Sequence, residues 1–316
     1  MRRLDLNKIV IYLSLAITIS LAGVHLPLLF GMEEGEMFTT IAQLLLYSWG
    51  PALAVMLIQR FLYKGSLEVY GWTRRHLSFP WLFRAMLWPL GVTAGIIGFA
   101  FVLGNLFGLP GFGEVIMGDP MGGSEAAGWF RPYLEVLYTG PMMPNELWFA
   151  IAMLVVLGPI LGATLNLFFN IGEEVGWRGF MLAETKKLGF MGGNFITGIL
   201  WSVWALPLFF LYPPEMEGET LWYVVGLFGY NISMSFPMAY LSLKSRSVYP
   251  AAIFAGVMSN LSAIPFFFIW GEAELLGGAK GLVAMFALLL LTFLILRYDP
   301  KFVEDYPELE FVDDDE

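Results

Sequence analysis

The chain has 316 residues, of which 58% are hydrophobic and 14% charged, and its mean hydropathy is +0.68. Soluble domains average about 25% charged residues, so this composition excludes an ordinary soluble protein and indicates an integral membrane protein. The absence of cysteine excludes disulfides, thiolate catalysis, cysteine zinc sites and thiolate-held iron–sulfur clusters. The net charge of −10 arises largely from the acidic residues after residue 298.

In chain order, eight apolar runs are candidates to cross the roughly 30 Å of hydrocarbon in a bilayer. The first run is too long for a signal peptide and lacks a small-x-small cleavage site before Glu33, so we expect a retained helix. The runs predict an all-α fold, with a single transmembrane domain over residues 1–298 and an acidic, disordered tail over 299–316. The predicted spans are 9–30, 38–59, 81–107, 147–169, 191–212, 221–243, 249–270 and 281–296.

Alternate loops differ strongly in positive charge. Of the 17 Lys and Arg residues, all but Arg131 and Lys280 fall on one side of the predicted spans, and the opposite loops are acidic. Positive residues favour the cytoplasmic side, so this asymmetry predicts that both termini are cytoplasmic. The long opposite loop over 108–146 is either a lid or a linker. Membrane lipid is the expected environment and partner, and nucleic acid is not an expected partner.

Charged side chains stand in apolar context in the stretch NIGEEVGWRGF, residues 170–180, at the end of the fourth run. A charge at the centre of a membrane helix costs about 2.5–3.5 kcal/mol on insertion scales, so such groups usually pair with each other or face a cavity. In a helix, Glu174 and Arg178 are i,i+4 neighbours, whereas Glu173 points about 100° away. This predicts an ion pair beside a free carboxylate, although solvated charges at the membrane face would show the same spacing.

The sequence EEVGWRGF, residues 173–180, resembles the EExxxR motif of the CPBP family. This family comprises intramembrane proteases, including type II CAAX prenyl endopeptidases and bacteriocin-processing proteins. A second family motif resembles WSVWALP at residues 201–207, and a third resembles PAAIFAGVMSN at residues 250–260. The resemblance covers about residues 147–263. It implies a CPBP-like helix bundle with a polar cavity open to the cytoplasmic leaflet.

The resemblance also implies the roles of the site residues. Glu173 would activate a water molecule together with the histidine of the second motif, and Glu174 and Arg178 would support it. The histidine and asparagine of the third motif would stabilise the oxyanion. Three further positions, Asn170, Trp201 and Asn260, are expected to support the site.

Both family histidines are replaced in this chain. Ala205 and Ala255 occupy their positions, and Ser259 occupies the position of the asparagine, with Asn260 one residue later. General-base assistance contributes about 10²–10⁴-fold to a rate and one oxyanion donor about 10²–10³-fold. We therefore expect an inactive or strongly impaired protease. The alanines fit natural loss or deliberate inactivation, and the altered asparagine position favours natural loss.

The two histidines of the chain lie outside these motifs. We expect His25 to be a buried structural residue of the first span, and His76 to lie in a cytoplasmic loop. The glutamate pair therefore has no imidazole beside it, and neither a metal ion nor another cofactor is expected. One alternative function is a non-catalytic pseudoprotease that binds or scaffolds a membrane-anchored peptide or protein. A second is a transporter or channel that uses the glutamate pair as an ion site.

Overall fold

The computed structural model describes residues 5–75, 77–116, 147–211, 220–273 and 275–312. Each of the eight predicted apolar runs contains a helix. Six helical segments are long and apolar enough to cross a membrane, and two shorter apolar helices, Ile151–Ala163 and Leu282–Tyr298, accompany them. The prediction of an all-α polytopic membrane protein is confirmed.

The elements are numbered in chain order. The helices are α1 (Leu6–Leu29), α2 (Met37–Ser48), α3 (Gly50–Ile58), α4 (Phe79–Ala100), α5 (Leu147–Ala163), α6 (Leu167–Glu174), α7 (Leu182–Thr185), α8 (Gly189–Leu211), α9 (Thr220–Ser245), α10 (Tyr249–Leu261), α11 (Leu282–Tyr298) and α12 (Phe302–Asp305). Wider π turns follow α3, α4 and α6 at Gln59–Tyr63, Phe101–Leu106 and Val175–Met181. Short 3₁₀ turns occupy Glu68–Tyr70, Lys186–Leu188 and Pro265–Phe267. The strands are β1 (Phe112–Val115) and β2 (Ile269–Glu272).

Helix α10 lies at the centre of the bundle. It packs against α4, α5 and α6, and residues 250–258 are buried on every side. Helix α9 packs against α8 and α11, and α1 packs against α2 and α3. The helix that carries the glutamate pair, α6, contacts α2, α3 and α10.

A small antiparallel sheet replaces the end of one predicted span. β1 pairs with β2, with Glu114 opposite Trp270. Helix α10 ends at Leu261, so the helix predicted to run through residue 270 is wrong for its last residues. Pro265 has no N–H to continue a helical ladder, and Gly271 adopts a φ of 68°, which favours glycine.

The predicted fourth span, 147–169, is broken in two. Helix α5 ends at Ala163 and α6 begins at Leu167. Between them the Asn166 side chain donates to the Gly256 carbonyl (3.3 Å) and to Asn260 Oδ1 (2.8 Å) of α10. The glutamate pair therefore lies on a separate helix, which continues through a π turn into α7, and not at the end of the α5 span.

The C-terminal segment is ordered through residue 312, so the prediction of a disordered tail is wrong for residues 299–312. Phe302, Tyr306 and Phe311 are buried against α8 and α9. Asn194 Nδ2 donates to Tyr306 Oη at 3.2 Å, and Lys186 Nζ donates to the Leu309 carbonyl at 2.8 Å. Aromatic burial thus holds a segment whose charge alone suggested disorder. Residues 313–316 lie outside the described residues.

Of the two histidines, the structure describes His25 alone. His25 is exposed near the end of α1, so the expectation that it is buried is wrong. The rotation of about 100° from Val24, which is buried, to His25 moves the imidazole away from the buried face of α1. His76 and residues 117–146 of the predicted long loop lie outside the described residues.

Candidate active site at the glutamate pair

The Glu173 carboxylate is held by two donors from different helices. Ser48 Oγ, at the end of α2, donates to Oε1 at 3.0 Å, and the Trp201 indole N–H of α8 donates to Oε2 at 3.3 Å. Gly172 permits this approach, because a Cβ there would lie 2.7 Å from the Ser48 carbonyl oxygen. Glu173 itself is half-buried. A carboxylate has about four lone-pair sites, so Glu173 can still accept from a water molecule or a ligand.

Glu174 and Arg178 form the predicted i,i+4 ion pair, and both side chains are fully buried. Arg178 Nη1 lies 3.3 Å from Oε1 and 3.2 Å from Oε2 of Glu174. The guanidinium also stacks on Trp201, with Cζ 4.1 Å from the ring centroid. Because a buried charge needs partners, this pairing assigns Glu174 a structural position and leaves Glu173 as the accessible carboxylate.

Trp201 joins the two carboxylates into one cluster. Its N–H contacts Glu173, while its ring face covers the guanidinium that neutralises Glu174. Cation–π contacts of this kind stabilise a desolvated cation by about 2 kcal/mol or more.

On α8, the second family motif presents no polar group at its histidine position. Ala205 is half-buried and lies four residues after Trp201, so both occupy the same face of the helix. The neighbouring Trp204 is engaged elsewhere, because its N–H donates to Ser20 Oγ at 2.9 Å.

On α10, the third family motif is also without its histidine. Ala255 is buried, and the next residue, Gly256, packs against Asn166 in the break before α6 and against Asn170 of α6, the helix that carries Glu173. A Cβ at Gly256 would lie 2.7 Å from the Gly162 carbonyl oxygen, so position 256 cannot carry a side chain without displacing α5. Asn170 donates to the Asn166 carbonyl at 2.7 Å.

The structure does not bring Ser259 into the cluster. Ser259 is exposed and donates to the Ala255 carbonyl within its own helix, at 3.1 Å. Asn260 faces inward, but Nδ2 donates to the Gly158 carbonyl at 2.9 Å and Oδ1 accepts from Asn166. Asn260 therefore joins α10 to α5, and its amide is occupied.

Sequence reasoning missed several polar partners of the motif. Ser48 and Ser235 contact Glu173 and Arg178, respectively, from helices distant in sequence. A lone serine in an apolar span gives no signal of such a role. In the part of the chain that the structure describes, no group of three or more His, Asp or Glu side chains could hold a metal ion.

Residues 144–262 match the family model of the type II CAAX prenyl endopeptidases, Rce1-like. A CAAX prenyl protease 2 from Methanococcus maripaludis is 29% identical over 94 residues, which cover 28% of this chain. This match supports the resemblance of residues 144–262 to the CPBP family. This CPBP segment contains all three motifs and agrees with the extent of about 147–263 predicted from the sequence. The alignment covers only 35% of the relative's length.

The family match of residues 144–262 and the apolar helices together identify the chain as an integral membrane protein. The matched Rce1-like family consists of CAAX-type endopeptidases.

Proposed function

We propose that the chain is a CAAX-endopeptidase-type membrane protein that binds a membrane-anchored peptide at Glu173 and hydrolyses it very slowly or not at all. The observation that carries this proposal is the geometry of Glu173. Its carboxylate is fixed by Ser48 and Trp201 within an apolar bundle, yet α8, which supplies Trp201, carries Ala205 one turn later, and α10, which packs against α6, carries Ala255. The site thus keeps its acceptor and lacks the groups that would share the proton transfers.

Peptide hydrolysis requires a proton to leave the attacking water and another to reach the departing amine. Glu173 can accept the first proton, because one lone pair of each oxygen remains available. A methyl group at position 205 or 255 can neither donate nor accept. Loss of general-base assistance costs about 10²–10⁴-fold and loss of an oxyanion donor about 10²–10³-fold, so we expect the combined loss to leave a near-silent site.

The class of ligand follows from the membrane environment and from the relative. A peptide can reach Glu173 from lipid only if it is itself anchored in the membrane. The name of the Methanococcus maripaludis protein describes a protease of prenylated CAAX proteins, so a prenylated C-terminal peptide is one ligand of the proposed class.

A cleavage assay in liposomes tests this proposal. It compares the chain as it stands, the Ala205→His/Ala255→His variant and the same variant carrying Glu173→Gln, each with membrane-anchored peptides. We expect cleavage only in the histidine-restored protein with Glu173 intact. Cleavage by the unchanged chain at a comparable rate would contradict the proposal.

Peptide binding is measured in parallel with the unchanged chain. We expect a fluorescent membrane-anchored peptide to bind in a saturable manner and to be displaced by an unlabelled copy. Absence of saturable binding, together with a silent histidine-restored variant, would reject both the protease and the pseudoprotease forms of the proposal.

We also propose that both termini are cytoplasmic. The support is the distribution of positive charge, with 15 of the 17 Lys and Arg residues on the side of the termini. Lys186, Lys187 and Lys244 follow or end helices on that same side, next to the C-terminal segment.

A further inference from the structure

Helix α9 carries buried polar side chains at three alternate positions in the middle of a membrane-spanning segment. Asn231, Ser233 and Ser235 are all buried. Asn231 and Ser235 are four residues apart and lie on one face, whereas Ser233 is rotated by about 200° from each of them. The two faces can therefore be tested separately with the same kind of substitution.

Among the described residues, Ser235 is one of two side chains that form hydrogen bonds with the motif arginine. Arg178 Nη2 donates to Ser235 Oγ at 3.3 Å, and Glu174 is the other partner. Among the described residues, Arg178 Nε has no hydrogen-bond partner. The Ser235 hydroxyl donates its only proton to the Asn231 carbonyl at 2.8 Å, which leaves its lone pairs directed at the guanidinium.

Asn231 extends this contact to α8. Its Nδ2 donates to Ser202 Oγ at 3.2 Å, and Ser202 in turn donates to the Gly198 carbonyl at 2.9 Å. Ser202 is the residue after Trp201, whose ring covers Arg178 and whose N–H donates to Glu173. One face of α9 thus contacts the counter-ion of Glu174 and the side-chain hydroxyl of Ser202, the residue next to the donor to Glu173.

We propose that Asn231 and Ser235 are positioning residues of the glutamate site, which hold Arg178 and Trp201 in the arrangement that orients Glu173. This inference deepens the proposed function and rests on it for the role of Glu173. Neither residue bonds to Glu173 itself. Their effect passes through the Arg178 guanidinium and the Trp201 indole, so it is measurable at Trp201 whether or not the chain turns over a peptide.

The first test is fluorine NMR of the full chain labelled with 5-fluorotryptophan in detergent. The chain has 11 Trp residues, and the Trp201→Phe variant identifies the Trp201 resonance. We expect Ser235→Ala to shift or broaden that resonance and Ser235→Thr, which keeps the hydroxyl, to restore it. Ser233→Ala is the matched control, because Ser233 is equally buried in the same helix but donates only to the Gly229 carbonyl.

An unchanged Trp201 resonance in Ser235→Ala would overturn the proposal. An equal shift in Ser233→Ala would also overturn it, since the effect would then be a general loosening of α9. Asn231→Ser, which shortens the side chain so that it no longer reaches Ser202, is the second variant if Ser235→Ala does not fold. We expect it to shift the Trp201 resonance as well.

The second test is kinetic and uses the histidine-restored background. There we expect Ser235→Ala to lower kcat roughly ten- to hundredfold with KM unchanged within about twofold, because misorientation affects the reaction and not peptide capture. A rise in KM at constant kcat would assign Ser235 to peptide binding and overturn the positioning role. If the restored enzyme is inactive, the catalytic part of the proposed function fails, while the Trp201 resonance still decides this inference.

Discussion

The buried charges of the site are coupled to one another, so single substitutions act on the whole cluster. Glu174 and Arg178 are 0% and 1% exposed, and each is the other's principal charge partner. Removing one member of a buried pair leaves an uncompensated charge, whereas removing both removes the cost of desolvation as well.

This coupling gives a prediction for stability. Glu174→Gln and Arg178→Met should each lower the free energy of unfolding by about 3–5 kcal/mol. The double variant should lose clearly less than the sum of the two. Thermal unfolding in detergent, analysed as a double-mutant cycle, measures the difference. Additive losses would show that the two side chains are not energetically paired.

At the scale of single residues, the sequence was sufficient for the motif and insufficient for its surroundings. The i,i+4 spacing of Glu174 and Arg178 predicts their pairing because helix geometry alone brings them together. The same logic cannot find Ser48 or Ser235, which reach the cluster from helices far away in sequence. Ser259 shows the opposite failure: its place in the motif suggested a site residue, but its side chain is exposed.

At the scale of elements, the motif helix depends on close contacts with α1 and α3. Gly176 lies in the π turn after the glutamate pair, and a Cβ there would lie 2.2 Å from Tyr12 Oη and 2.5 Å from Pro51 Cβ. Tyr12 is fully buried and its ring stacks on Phe180, so it cannot move aside without disturbing the core. The glycine is therefore required by packing.

We accordingly expect Gly176→Ala to destabilise the protein by about 1–3 kcal/mol, the usual cost of overpacking a core. Gly91→Ala in α4 is the matched control, because nothing lies within 4 Å of a Cβ at that position. Its effect should stay within about 1 kcal/mol and favour the folded state, since alanine has the higher helix propensity. Equal destabilisation by both substitutions would contradict the packing argument.

The C-terminal segment is a second element whose role comes from packing. Tyr306 is fully buried, accepts a hydrogen bond from Asn194 and packs against Phe190 and Phe302. Burial raises the pKa of the Tyr306 phenol well above its usual range, so the hydroxyl stays neutral. Phe311 lies over Gly71, which ties the segment to the loop between α3 and α4.

Two substitutions at Tyr306 separate these contributions. Tyr306→Phe removes only the hydrogen bond and should cost about 0.5–1.5 kcal/mol. Tyr306→Ala also empties the aromatic cluster and should cost about 3–5 kcal/mol. Thermal unfolding of the full chain compares them. If Tyr306→Ala unfolds at the same temperature as the unchanged chain, the segment does not contribute to the stability of the bundle.

The prediction of disorder for this segment was wrong because it rested on the net negative charge. Five acidic residues lie among residues 299–312, but Phe302, Tyr306 and Phe311 recur every four or five positions. That spacing is compatible with one buried face, and the structure shows that face packed against α8 and α9. Similarly, hydropathy did not predict the break at residues 164–166. The break depends on hydrogen bonds from the Asn166 amide to Gly256 and Asn260, which are distant in sequence.

At the scale of the whole molecule, hydropathy predicted the architecture well because a bilayer allows few alternatives. Backbone groups in hydrocarbon must be satisfied internally, so long apolar runs become helices. The two strands occur next to the end of α10, where Pro265 stops the helical ladder. Orientation is a separate question, since it depends on charge asymmetry in the loops and not on packing.

The absence of cysteine makes the orientation directly measurable. Glu34, in the loop before α2, and Lys187, in the turn before α8, are both exposed. We expect Glu34→Cys to react with a membrane-impermeant maleimide on intact cells, and Lys187→Cys to react only after the membrane is opened, because positive charge retains its loops in the cytoplasm. The unchanged chain is the blank, and both variants should react fully in detergent. The reverse labelling pattern would contradict the predicted orientation. It would show that the basic loops and the C-terminal segment lie outside the cell.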